Sequence, residues 1–237
     1  MGQGIAQVTA AAGYATRIYD SVPGRADQAK ASIATQLERL IAKGKTSAEE
    51  AQKTLARIAA VSDVAKASEG ASLVIEAAPE SMDIKVALFT EVLRTAPKHA
   101  LLASNTSSLS LTELGARIGA ADRTLGLHFF NPPPVMELLE IVRGLSTSTE
   151  SIDRALTFAR AIGKTPIVVR DVPGFASSRL GVILGAEAMR MLETHVASAA
   201  DIDRAMELGY RHPMGPLKLT DLVGLDVRLA ILEHLQR

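Results

Sequence analysis

From residue 15 to residue 169 the chain alternates short apolar runs with longer stretches of helical period. The alternation stops at Asp171-Val172-Pro173-Gly174. Runs at 15–20, 73–78, 101–104, 124–130, 138–142 and 166–169 have the length and composition of strands. Helical patterns occupy 3–13, 24–43, a stretch opening at Thr46, then 82–95, 111–118 and 149–162. Gly44 and Gly163 stand where helices end, and Thr46-Ser47-Ala48-Glu49 has the form of a capping box. Alternation of this kind predicts an α/β fold with a mainly parallel sheet. Past residue 173 only helical periodicity remains, over about 176–193, 199–208 and two shorter pieces to 236. The predicted division is a sheet domain over 1–172 and a small all-α domain over 173–237.

Composition narrows the function classes. The 237 residues are 47% hydrophobic, and 26 basic side chains balance 26 acidic ones, so no net charge favours a nucleic-acid partner. Cysteine is absent, which removes disulfides and thiol-type zinc sites, and no metal is expected. No secretory pattern opens the chain, and no apolar run reaches the ~18 residues of a membrane span. The expected setting is cytoplasmic, without a membrane partner.

The chain opens MGQGIAQ. A dinucleotide-binding fold runs strand, G-x-G-x-x-G, helix, then a second strand ending in an acid. The helix start and bare glycine backbone receive the pyrophosphate, and the acid receives the ribose hydroxyl. Here Gly2 opens a helix, a strand follows, and Asp20 ends it. Gly2 then corresponds to the last fingerprint glycine and Gly4 to a small residue where the helix nears the sheet. On that reading the sheet is expected to be of doubly wound Rossmann type with its first strand missing. A flexible terminus and a turn aspartate account for the same residues equally well when they are taken alone.

Two stretches put polar groups at the carboxyl ends of strands, where open α/β sheets bind ligands. They are Ala103-Ser104-Asn105-Thr106-Ser107-Ser108-Leu109 and the run from Gly126 to Glu140. His128 lies between apolar neighbours, and Glu140 lies on the next strand. A histidine held by a carboxylate is a common general base. Alone, a histidine in an apolar strand reads first as a satisfied core residue, and the Ser/Thr cluster reads as a cap for the helix at 111.

SNTSSL and GLHFFNPPPVMELLEIV closely resemble the 3-hydroxyacyl-CoA dehydrogenase family. So do VIEAAPESMDIK, RDVPGFASSRL and DIDRAMELGYRHPMGPLKLTDLVGLD. The resemblance covers essentially the whole chain, in order. It implies NAD-dependent, reversible oxidation of a 3-hydroxyacyl-CoA to the 3-ketoacyl-CoA, as in fatty acid β-oxidation or butanoate metabolism, with short chains such as 3-hydroxybutyryl-CoA favoured. It implies His128 as the base and Glu140 as its orienting partner. Ser107 would bond the substrate oxygen, with Asn105 near nicotinamide and substrate. Glu80 and Lys85 would flank the nicotinamide ribose, and Lys85 would also reach CoA. Lys43 matches a CoA-phosphate contact, although an exposed lysine favoured by a helix C-terminus explains it as well. Asp20 would oppose a 2′-phosphate, so NAD is expected over NADP.

Ser178 stands where the family often carries Asn, and a hydroxyl has shorter reach than an amide; it is a candidate substrate contact. Relative to the family the chain is short at both ends. Loss of a central strand leaves buried backbone groups unpaired at ~1–3 kcal/mol each, so weak NAD binding or weak folding is expected. The apolar helices after 173 point to a homodimer. The alternatives are a non-catalytic relative, inactive as this chain, and a dehydrogenase of free hydroxy acids. The His–Glu pair disfavours both.

Overall fold

The computed structural model describes residues 1–235; the predicted end of the last helical piece at 236 lies outside them. The chain forms two compact units, Met1–Asp171 and Val172–Arg237. The first begins with helix α1 (Gly2–Ala11), strand β1 (Thr16–Ile18), α2 (Arg25–Ala42) and α3 (Ala48–Ala56). There follow β2 (Ile58–Ala60), α4 (Val64–Ser68), β3 (Leu73–Glu76), α5 (Met82–Val92), β4 (Leu101–Ser104) and α6 (Leu111–Ile118). The unit closes with β5 (Thr124–Phe129), β6 (Leu138–Arg143), α7 (Thr149–Ala161) and β7 (Thr165–Arg170). The second unit is helical: α8 (Ser177–Glu193), α9 (Ala199–Arg204), α10 (Pro216–Val223) and α11 (Leu225–Leu235).

The predicted strands and helices form, with two additions and one shift. Strand β2 and helix α4 were not expected, because three and five residues are too few to show a period. The capping box sits one residue later than read: Ser47 is the N-cap and Glu50 answers it, while Thr46 donates to Glu50 from outside the helix.

The sheet is divided. Strands β1 and β2 pair in parallel, and the other five run in the order β3-β4-β5-β6-β7. Within the larger sheet β5 and β6 are antiparallel, and the other neighbours are parallel. The Thr16 N–H bonds to Arg57 and the Ile18 carbonyl accepts from Val61. The Arg17 backbone therefore faces away from β2, because backbone groups alternate sides along a strand. Likewise the Ser72 and Glu76 carbonyls accept from Leu101 and Asn105, which turns the Leu73 and Ile75 backbone away from β4. No strand among the described residues pairs with either edge.

Helix α1 serves both sheets. Its Ile5 joins the core made by the large sheet and the Ile152, Ala155, Phe158 and Ala159 face of α7. Its Ala6 and Ala10 join Ile33, Leu37, Ala51 and Ile58 over the small one. The small side chains of Ala6 and Ala10 let that face of the helix pack directly on the second core. The strands carry their apolar residues into these cores and present polar residues at their carboxyl ends: Glu76 closes β3 and Ser104 closes β4.

Candidate active site

His128 and Glu140 are paired residues across the antiparallel β5–β6 ladder. Side chains at directly opposed positions project to the same face. The Glu140 carboxylate therefore meets the imidazole Nδ1 at 2.7 Å. Glu140 is fully buried and His128 is 6% exposed. The Phe130 ring lies 4.8 Å from the imidazole, tilted by 50°. Nδ1 is thereby fixed toward the carboxylate, which sets the tautomer with the lone pair on Nε2 when the ring is neutral.

The loop after β4 brings the polar cluster to the same edge. Asn105 Oδ1 accepts from the Phe129 amide at 2.9 Å, tying this loop to the end of the His128 strand. Glu80 organises the rest: its carboxylate accepts from the Ser107 amide and the Ser108 hydroxyl, both at 3.1 Å, and from the Thr106 hydroxyl. Burial pushes the Glu80 carboxyl up. The Thr106 hydroxyl, the Lys85 ammonium and the Ser107 and Ser108 donors outweigh it and hold the group below the usual glutamate range.

Lys85 departs from expectation. It is 1% exposed, with Nζ at 2.8 and 3.0 Å from the two Glu76 oxygens and 3.4 Å from Glu80. A buried ammonium must be paired, and this one is committed to Glu76. It does not reach out to a CoA moiety; it holds Glu80 instead. Glu76 and Thr106 were missed as site residues. The available signal was an acid closing the apolar run Leu73-Val74-Ile75-Glu76, since a charge at the end of a buried strand needs a partner.

Gly2 is the first residue of α1, which has no acidic side chain in its first turn. A Cβ at Gly2 would lie 3.7 Å from Ala77 Cβ, so the helix start adjoins the end of β3. Gly4 corrects the expectation of close approach to the sheet. A Cβ there would come within 2.8 Å of Pro133 Cδ, so its neighbour is the loop joining β5 to β6. Lys164 grips the same loop, donating to the Pro133 and Met136 carbonyls at 2.6 and 2.7 Å. Burial holds the Lys164 ammonium below the usual lysine range, with Glu137 opposing.

Asp20 follows β1 and accepts from the Val22 amide at 2.9 Å. It lines a cavity of about 560 Å³ with Tyr19, Val22, Ala60, Val61 and Lys66. Lys43 is exposed at the end of α2, apart from the hydrogen-bonded cluster. Ser178 is half-buried on the first turn of α8 in the helical unit. Among the described residues no group of acidic and histidine side chains could hold a metal ion. No described helix is long and apolar enough to cross a membrane.

Residues 1–172 match the sequence profile of the 3-hydroxyacyl-CoA dehydrogenase NAD binding domain, and residues 174–237 match that of the same family's C-terminal domain. A probable 3-hydroxybutyryl-CoA dehydrogenase of Bacillus subtilis is 43% identical over 235 residues, spanning 99% of this chain and 82% of the relative. The human mitochondrial hydroxyacyl-coenzyme A dehydrogenase is 40% identical over 98% of this chain and 76% of its own length. The crystal structure of (S)-3-hydroxybutyryl-CoA dehydrogenase from Ralstonia eutropha superposes with a TM-score of 0.95 at 39% identity, covering 99% of this chain and 83% of that one.

Proposed function

The chain belongs to the 3-hydroxyacyl-CoA dehydrogenase family, and from that premise we propose that it oxidises 3-hydroxyacyl-CoA to 3-ketoacyl-CoA with NAD, favouring short chains such as 3-hydroxybutyryl-CoA. The observation that carries the reading is the buried His128–Glu140 pair, in register at the edge where the Ser107 loop and the start of α1 converge.

NAD supplies the hydride acceptor. The residues present fit it: α1 offers unpaired N–H groups with no acid in its first turn, Gly2 lacks a side chain there, and Asp20 lines the cavity beside β1. His128 takes the hydroxyl proton on Nε2 as the carbon–oxygen double bond forms, and Glu140 stabilises the imidazolium so created. The Ser107 hydroxyl and the Asn105 amide, whose oxygen is committed to Phe129, donate to the substrate oxygen. In reduction the same proton returns from His128. Glu80 would hold the nicotinamide ribose, with Lys85 behind it. Lys43 and Ser178 serve the CoA portion and the substrate.

The sheet unit over 1–172 is read as the nucleotide-binding domain and 173–237 as the domain for substrate and self-association. Leu180, Ile183, Leu222 and Leu225 are 73%, 56%, 72% and 61% exposed. Apolar exposure on this scale supports a homodimer, which light scattering of the purified chain tests. The expected compartment is the cytoplasm.

The test of function is NADH formation from (S)-3-hydroxybutyryl-CoA and from free 3-hydroxybutyrate. Turnover of the thioester alone supports the reading. Turnover of neither, or of the free acid alone, overturns it.

A further inference from the structure

We propose that Glu76 is a positioning residue whose charge biases the site toward the oxidised, cationic form of the cofactor. The proposal rests on the dehydrogenase reading above.

Glu76 is 2% exposed, and its carboxylate is surrounded by donors. Both oxygens receive Lys85 Nζ, Oε2 receives the Ser104 hydroxyl at 2.6 Å, and Oε1 receives the Ala78 amide. Three elements are joined by this one carboxylate: β3, α5 and the end of β4. Lys85 in turn reaches Glu80, and Glu80 holds the loop through Thr106, Ser107 and Ser108. Glu76 therefore acts on the Ser107 loop at two removes, through Lys85 and then Glu80, and on its root directly through Ser104.

The charges do not cancel. One ammonium lies between two carboxylates, which leaves the cluster with a net single negative charge. Glu76 and Lys85 are shielded from water, where a charge acts over a longer range than at a surface. Hydride transfer requires the acceptor ring within about 3–3.5 Å of the reacting carbon. The oxygen on that carbon lies against His128 and Ser107 in the proposed reaction. Ser107 is bonded to Glu80, and Asn105 ties the same loop to Phe129 beside His128. When the cofactor is bound, its ring would therefore lie next to this cluster. It is positively charged when oxidised and neutral when reduced, so a net negative neighbour favours the oxidised form. A residue that served only to hold the loop would affect both forms alike.

The test measures the dissociation constants of NAD+ and NADH on the full chain, with circular dichroism to verify folding. Glu76→Gln neutralises the cluster and is expected to shift the ratio of the two constants about tenfold toward NADH. Lys85→Met leaves two carboxylates and is expected to shift the ratio the other way, so either folded single variant decides. Glu76→Gln/Lys85→Met removes one charge of each sign and is expected to return the ratio close to that of the wild type. Equal weakening of both nucleotides in a folded single variant overturns the charge role, as does a folded double variant that keeps a shifted ratio. A wild-type chain that binds neither nucleotide, or makes no NADH from 3-hydroxybutyryl-CoA, overturns the dehydrogenase reading itself.

Discussion

His128 and Glu140 are directly opposed on antiparallel strands, and the carboxylate takes the imidazole Nδ1 at 2.7 Å. The ladder register alone brings them together, so no loop has to be ordered to assemble the pair. Glu140→Gln keeps the shape and removes the charge that, in the proposed reaction, would stabilise an imidazolium at His128. We expect kcat to fall by about 10²–10⁴-fold, with NAD affinity held within twofold of the wild type. Single-turnover kinetics beside NAD titration check this; an unchanged kcat would remove Glu140 from the mechanism.

The Glu80 carboxyl carries a pH signature. Its folded pKa is depressed, so the stability it contributes is present above the ordinary glutamate value of about 4.3 and is lost as pH falls through the lower folded value. Ser108→Ala deletes one donor to this carboxylate. The Glu80 pKa should rise in the variant, as read by carbon NMR titration. The stability gap between variant and wild type should close in acid. A gap that persists undiminished at pH 2 would mean that Ser108 acts by some other route.

The loop between β5 and β6 is held from two sides. Gly4→Ala gains up to about 1 kcal/mol of helix propensity. It also places a methyl 2.8 Å from a buried proline, an overpacking that costs about 1–3 kcal/mol. The clash wins, and urea melts should show net destabilisation. Lys164→Met strips the donor from two carbonyls, at about 1–3 kcal/mol for each group left buried and unmet, and should lower kcat as well. Gly2→Ala meets Ala77 only at ordinary contact distance; it should fold normally and weaken NAD. A stable, fully active Lys164→Met enzyme would dismiss the clasp.

The divided sheet predicts a pattern in hydrogen exchange. The Leu73 and Ile75 amides face the open edge of β3, whereas the Val74 amide faces β4. Exchange at residues 73 and 75 should outrun that at 74 by at least tenfold, and Arg17 should outrun Ile18 on β1. Equal protection along β3 would mean that the edge is covered in solution.

Much of this arrangement was legible in the sequence. The apolar runs holding His128 and Glu140 declared two strands, and Gly44 and Gly163 end helices with positive φ as glycine allows. The pairing of His128 with Glu140 depends on a strand register that periodicity does not encode; the family resemblance supplied it. Lys85 shows the limit more sharply. In a helical stretch it reads as a solvated charge, and only the fold reveals that Glu76, nine residues earlier, buries it. Pro133 over Gly4 and Lys164 under the same loop are contacts between residues far apart in sequence. Nothing local distinguishes those residues from an ordinary turn proline and an exposed lysine.

The central claim is that His128 is the proton acceptor of an NAD-dependent 3-hydroxyacyl-CoA oxidation. The most direct measurement compares wild type and His128→Gln for NADH formation from (S)-3-hydroxybutyryl-CoA, with NAD affinity determined on the same samples. The account predicts measurable turnover by the wild type, a loss of at least about 10³-fold in the variant, and NAD affinity that is nearly unchanged. A folded His128→Gln enzyme turning over at close to the wild-type rate would contradict it.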